Sequence, residues 1–267
     1  MTASAGPTAL LSLALLIPPA PLVAHDFWIE PSSFAPKGGT AVSVDLRFGQ
    51  QFAGEPVPRN SATIDRFKLM DGAGGSREIA GADGLTPAGT IVADDRRTQE
   101  IVFDGGGGKV QMQADPFEAY LLAYGLEWVI DYRALQGKMR SPGREIFHRH
   151  AKALLTGIAA SPVATEASDQ QLELVPDSDP TQERRPGLRG RVLWNGTPLA
   201  GCLVIARNRA TPKSALRVRS DRDGRFNLPL AGGVWLLQSV WMQRAGWFSA
   251  HDWESHWASL TFLKPGP

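Results

Sequence analysis

The chain has 267 residues, 43% of them hydrophobic, and its 28 basic and 27 acidic side chains leave a formal net charge of +1. The basic residues fall in scattered pairs such as Arg96-Arg97 and Arg184-Arg185, so no cationic stripe exists for a polyanion, and nucleic acid is excluded as a partner. Cys202 is the single cysteine, so no internal disulfide can form, and its apolar setting in Cys202-Leu-Val-Ile205 reads as core.

The first 24 residues carry signals of export. Ala9 to Ile17 is an apolar run of signal-peptide length, too short for the roughly 20 residues that span a bilayer. Pro18, Pro19 and Pro21 break any helix, and Ala24 offers a small residue for cleavage, with His25 then first in the mature chain. No lipid-attachment cysteine lies nearby. A periplasmic, soluble product with no membrane span is the expectation.

From residue 25 to 114 the signals are those of strands. Ala41 to Phe48 alternates Val42, Val44, Leu46 and Phe48 against polar neighbours, the period of a half-buried strand. Shorter runs follow at Ile64 to Leu69 and Gln99 to Phe103. Glycine clusters at Asp71 to Gly75 and Asp104 to Gly108 read as turns between them.

The middle changes character. Asp115-Pro116 can open a helix, and Phe117, Tyr120, Leu121, Tyr124 and Trp128 recur at helical spacing. A second helix is expected from about Pro142 to Leu155, with Ile146, Phe147, His150 and Leu154 on one face. Residues 115–160 therefore read as a helical insertion. Residues 161–187, rich in Pro, Ser, Asp and Glu, read as a connector that includes the strand LELVP.

From residue 188 to 267 the β pattern returns. A strand, an Asn195-Gly196 turn and a second strand form a hairpin signature. A turn at Asp221 to Gly224, a strand at Val234 to Met242 and a closing strand through Ala258, Leu260 and Phe262 complete it. The expected fold is mainly β: two Ig-like β-sandwich domains with the helical insertion between them.

No nucleophile elbow, HExxH helix, paired CxxC or dinucleotide-binding glycine pattern is present, so an enzyme is not expected. GGGGK at Gly105 to Lys109 lacks the Ser or Thr that a phosphate loop requires, and is read as a turn. The histidines carry the remaining chemistry. A terminal His25 would offer its free amine and its imidazole Nδ1 to one ion, and nitrogen donors suit Cu, Ni and Co. His251, Asp252, Glu254 and His256 cluster in SAHDWESHW, with Asp252, Glu254 and His256 on the face of Ala258 if the strand extends backwards. They could ligate a metal at the sandwich rim, or Glu254 and His256 could satisfy each other there. His148 and His150, if helical, point about 200° apart, so His150 is read as core and His148 as solvent-exposed. Eight tryptophans also admit a carbohydrate-binding platform, although core packing is their commoner use.

Several of these segments resemble the DUF4198 proteins: AHDFWIEPSSF, FGQQFAGEPVPR, SPGREIFHRHAKALL, LELVP, GTPLAGCLV, SDRDGRFNLPLAGGVWLL and HDWESHWASLTF, in the same order. The resemblance implies an exported β-rich protein, similar in some members to nickel or cobalt uptake components near transporters or TonB-dependent receptors. In the family pattern a His often precedes Met where this chain has Trp241-Met242, a departure that removes one candidate ligand. The combined expectation is a periplasmic accessory of metal uptake, binding Ni, Co or Cu through His25, His256 and Glu254, with His251 or Asp252 completing the site. The competing expectations are a carbohydrate- or polymer-binding module and a non-catalytic envelope scaffold.

Overall fold

The structure is a computed structural model that describes residues 25–267, so the expected signal peptide lies outside the described residues. In the first half, β1 (Asp26–Pro31), β2 (Ala41–Gln50) and β3 (Ala53–Val57) form a meander. β4 (Ile64–Met70), β5 (Ser76–Glu78), β6 (Gly89–Val92) and β7 (Gln99–Met112) follow. Two helices come next, α1 (Ala114–Ala123) and α2 (Glu127–Leu135).

The second half opens with β8 (Gly143–Leu155), β9 (Leu172–Pro176), β10 (Leu188–Trp194) and β11 (Thr197–Pro198). It ends with β12 (Leu203–Asn208), β13 (Ala215–Arg219), β14 (Arg225–Leu228), β15 (Gly233–Arg244) and β16 (Trp253–Lys264).

One eight-stranded sheet, ordered β13-β12-β15-β16-β8-β7-β4-β5, runs through both halves. All its pairs are antiparallel except β16 with β8, which run parallel. Two four-stranded sheets cover it on opposite faces. The sheet of β1, β2, β3 and β6 packs Ile29, Val42, Val44 and Leu46 against Phe67, Ile101, Phe103, Ala151 and Ala153. The sheet of β9, β10, β11 and β14 packs Leu174, Val192, Phe226 and Leu228 against Val204, Leu237, Leu260 and Leu154. Residues 151 and 154 of β8 thus serve different cores, as the two-residue period of a strand requires. The molecule is mainly β, with two sandwiches built on one shared sheet.

The helices cover the remaining part of the face that bears the first small sheet. Phe117, Tyr120 and Leu121 of α1 and Val129 of α2 pack on Val240, Met242, Trp253 and Trp257. The helix expected to start near residue 115 is present, but the one expected over 142–155 is not. That segment is β8, the strand at the centre of the long sheet. From Arg149 to Leu155 every residue is buried, because both faces of the strand are covered. A strand covered on both sides shows no polar alternation, and Ala151, Lys152, Ala153 and Leu154 are good helix formers.

The glycine run is also different from its reading as a turn. Gly105 to Gly108 continue β7, with a register shift between Gly106 and Gly108 and a positive φ of 73° at Gly107. A Cβ at Gly108 would sit 2.2 Å from the ring of Phe147, and one at Gly106 would sit 2.5 Å from His148 Nδ1. The glycines are there so that rings on β8 can lie across the neighbouring strand. Asn195-Gly196 does form the expected tight turn, with φ of 48° and 74°.

Candidate metal centre

The parallel register of β8 and β16 brings two histidine-bearing segments side by side. His148 is opposite His256, and His150 is opposite Ala258. Two residues apart on a strand means the same face, so His148, His150 and Lys152 point to one side together with Glu254, His256 and Ala258. The side is that of the second small sheet, and Trp194, at the end of β10, lies edge-on over His256 with ring centroids 4.7 Å apart. The cluster therefore sits at the rim of the C-terminal sandwich, where the covering sheet stops.

A chain of hydrogen bonds runs into this rim from the interior. Gln170 Nε2 donates to Asp104 Oδ1 at 2.9 Å, and Arg66 pairs with Asp104 Oδ2. Burial alone would raise the Asp104 pKa; the hydrogen bond from His150 and the charge of Arg66 outweigh it and hold the carboxyl below its usual value. An ionised carboxylate can only accept, so His150 Nδ1, 2.7 Å away, carries the proton. His150 Nε2 lies 3.1 Å from His256 Nδ1. In the arrangement where His150 Nε2 accepts, His256 Nδ1 donates and the lone pair of the His256 ring lies on Nε2.

That lone pair has no donor. His256 is fully buried, and its Nε2 has no hydrogen-bond partner among the described residues. It faces Glu254 Oε1 at 3.5 Å, and His148 Nε2 reaches the same oxygen at 3.2 Å. Burial, followed by repulsion from His150 and His148, pushes the His256 pKa down to about 3, so the ring is neutral near pH 7. Gln243 Nε2 donates to the other oxygen of Glu254 at 3.1 Å and fixes the carboxylate.

His148, Glu254 and His256 each offer one ligand atom, all within 4.8 Å of one another, and the two imidazoles stack with centroids 4.7 Å apart. Metal–ligand bonds of about 2.0–2.2 Å at tetrahedral or octahedral angles place ligand atoms roughly 3–3.5 Å apart. The observed 3.2 and 3.5 Å fit that spacing. Two imidazoles and one carboxylate form a set suited to Zn, Fe, Co, Ni or Cu, and His148 and Glu254, each about one quarter exposed, keep an open side. The arrangement Asp104–His150–His256 has the form of the hydrogen-bonded support that orients ligating imidazoles in metal sites.

The residues expected from sequence divide sharply. Glu254 and His256 are in the cluster, on the strand face anticipated for them. Asp252 is not: it is held by Arg144 through two 3.0 Å hydrogen bonds, ahead of the start of β16. His251 lies in the preceding loop near Lys109, Gln111 and Arg144. His25 is on the other face of the long sheet. Its carbonyl accepts from Arg149, whose side chain points away from His148 and His150, and its ring stacks on Phe48 of β2 at 4.5 Å. With the sheet itself between them, His25 cannot share an ion with His256.

His148 was missed because its segment was read as a helix, where two residues of spacing would separate it from His150. The signal that could have recovered it is the H-x-H pair itself, once period two replaces 3.6. His150 was rightly read as core, but it acts as the link between Asp104 and His256 rather than as apolar filling.

Comparison with known proteins places the chain without naming an activity. No curated protein matches it. The family model described as Domain of unknown function (DUF4198) matches residues 22–243, most of the chain, and the protein belongs to that family.

Proposed function

We propose that this protein binds a divalent transition metal in the periplasm as an accessory of metal uptake, with His148, Glu254 and His256 as ligands and Ni, Co or Cu as cargo. The observation that carries the reading is the buried Nε2 of His256, which has no hydrogen-bond partner among the described residues and faces a carboxylate oxygen at 3.5 Å. Two unshared electron pairs facing each other at 3.5 Å repel, and a cation between them turns that repulsion into bonding. Three protein ligands with an open side suit an ion that is to be handed on, because an incoming ligand can attach before the protein lets go. Export fits the apolar run at Ala9 to Ile17, and no helix among the described residues is long and apolar enough to cross a membrane.

The alternative of a carbohydrate platform has narrower support. Trp28, Trp235, Trp253 and Trp257 are buried, and the fully exposed pair is Trp247 with Phe248 at a loop tip.

Calorimetry with Ni²⁺, Co²⁺ and Cu²⁺ tests the metal reading on chains that begin at His25. Saturable binding is expected for at least one ion, lost in His148→Ala and in His256→Ala and unchanged when one residue is added before His25. Binding abolished by the added residue but kept by both alanine variants would move the site to the chain terminus. No binding of any of the three ions would end the proposal.

A further inference from the structure

The opposite face of the same strand carries a second feature, independent of the metal cluster. Arg149, between His148 and His150, is about nine-tenths buried. Its Nη1 donates to the His25 carbonyl at 2.9 Å. Among the described residues its Nε and Nη2 have no hydrogen-bond partner, and no carboxylate approaches the guanidinium within 4 Å. The group is instead ringed by aromatics: Phe147 and Trp257 at 4.9 and 4.7 Å, Phe27 and Phe48 at 5.9 and 5.8 Å.

Beside it lies a cavity of about 390 Å³, lined by Arg149 with Phe27, Phe48, Phe103, Phe147 and Val57. The volume comes from the glycine run: Gly105, Gly106 and Gly108 form part of its wall and bring no side chains into it. The walls are almost wholly apolar, and Arg149 is the one ionisable side chain among them. Its volume lies in the range of small-molecule sites.

A buried guanidinium costs free energy unless its charge is met. The four rings meet part of it through their π faces, and the buried carboxylates of Glu145 and Asp26 meet more of it from farther away, without touching the guanidinium. The pair Nε and Nη2 forms one edge of the guanidinium, the edge that engages a carboxylate with two parallel hydrogen bonds. Arg144 uses the same two atoms to hold Asp252 in this molecule.

We propose that this cavity is a binding site for a small monocarboxylate with an apolar or aromatic tail, the carboxylate on the Nε/Nη2 edge of Arg149 and the tail among Phe27, Phe103 and Phe147. The chemistry follows from the wall: one cation selects one anion, and the rings accept an apolar body but offer no partner to a second polar group. The pocket and the histidine cluster lie on opposite faces of β8, so the two sites stand or fall separately.

The test is calorimetry of the full chain with two probes of the same tail, 3-phenylpropionate and the uncharged 3-phenylpropanol. The acid is expected to bind saturably, the alcohol at least about tenfold more weakly. Arg149→Met should remove the difference. Because that variant removes a buried cation and its folding is at risk, Thr63→Trp provides a second arm. Thr63 is an exposed residue of the cavity lining, so a large ring there narrows the opening and leaves Arg149 in place. Loss of acid binding in Thr63→Trp with the wild-type unfolding transition, and retained binding in His148→Ala, are the expected results. Equal affinity for acid and alcohol, no binding of the acid at millimolar concentration, or binding indifferent to Thr63→Trp would overturn the proposal.

Discussion

Two polar clusters share one face of β8, four residues apart, and they are built on opposite principles. At Lys152 the ammonium, 1% exposed, lies 2.8 Å from Glu173 and 3.1 Å from Glu100. Glu173 also accepts from the backbone N–H groups of Ser168 and Gln170, and Glu100 accepts from the Ser168 hydroxyl. Burial by itself would lower the Lys152 pKa, but the two carboxylates more than offset it and hold the pKa above the ordinary value. At His148 and His256 burial is just as complete for one ring, yet the lone pair that matters has no donor. A buried cation matched by two carboxylates holds the strand in place, whereas a buried imidazole nitrogen that faces a carboxylate without a hydrogen bond marks a candidate site.

Breaking the closed cluster should give the largest effect on stability. Lys152→Met leaves two carboxylates buried without a cation, and a loss of about 3–5 kcal/mol is expected in urea unfolding. A loss below about 1 kcal/mol would mean that the triad is not the closed unit described above.

The reverse face of β8 gives a graded case between the two. Glu145 accepts from Ser255 Oγ and Tyr120 on one oxygen, while its other oxygen has no partner. Burial pushes its pKa up to about 7. A carboxyl whose folded pKa is raised binds more protons in the native state than in the unfolded one. Its contribution is full below the unfolded value of about 4.3 and is lost as pH rises through about 7. About 3–4 kcal/mol should therefore disappear between pH 4 and 8 in the wild type, and Glu145→Gln should flatten that slope. Parallel curves for the two proteins over that range would show that Glu145 is ionised throughout.

The open cluster is sharpened by its outer partner. His150→Phe keeps a buried ring but removes the acceptor for His256 Nδ1, and a 10–100-fold loss of metal affinity is expected by calorimetry. An unchanged affinity would show that His150 does not set the orientation of the ligand. The smallest effect belongs to Asp252→Asn, which breaks a pair with a half-exposed Arg144. It should cost no more than about 1 kcal/mol and leave metal binding as it was.

How much of this could be read beforehand varies with locality. The mainly β fold was legible in period-two runs such as Val42 to Phe48 and in the Asn195-Gly196 turn, because a strand with one wet face and a two-residue turn write themselves in neighbouring residues. The face shared by Glu254, His256, Ala258, Leu260 and Phe262 was legible for the same reason. β8 was not. Its polar residues are matched by Glu100 and Asp104 of β7 and Glu173 of β9, more than twenty residues away in the chain, so nothing local distinguishes Lys152 or His150 from residues of an amphipathic helix.

The amino-acid sequence on its own determined that the chain is β-rich, which residues line one face of β16, and that imidazole and carboxylate accumulate near residue 254. Which of them meet was decided only by the parallel pairing of β8 with β16, a contact across more than 100 residues that places His148 opposite His256 and His25 behind the sheet. Periodicity follows from backbone geometry and is inherited by every local segment. Register between distant strands follows from how whole faces fit, and no short stretch of the chain contains that information.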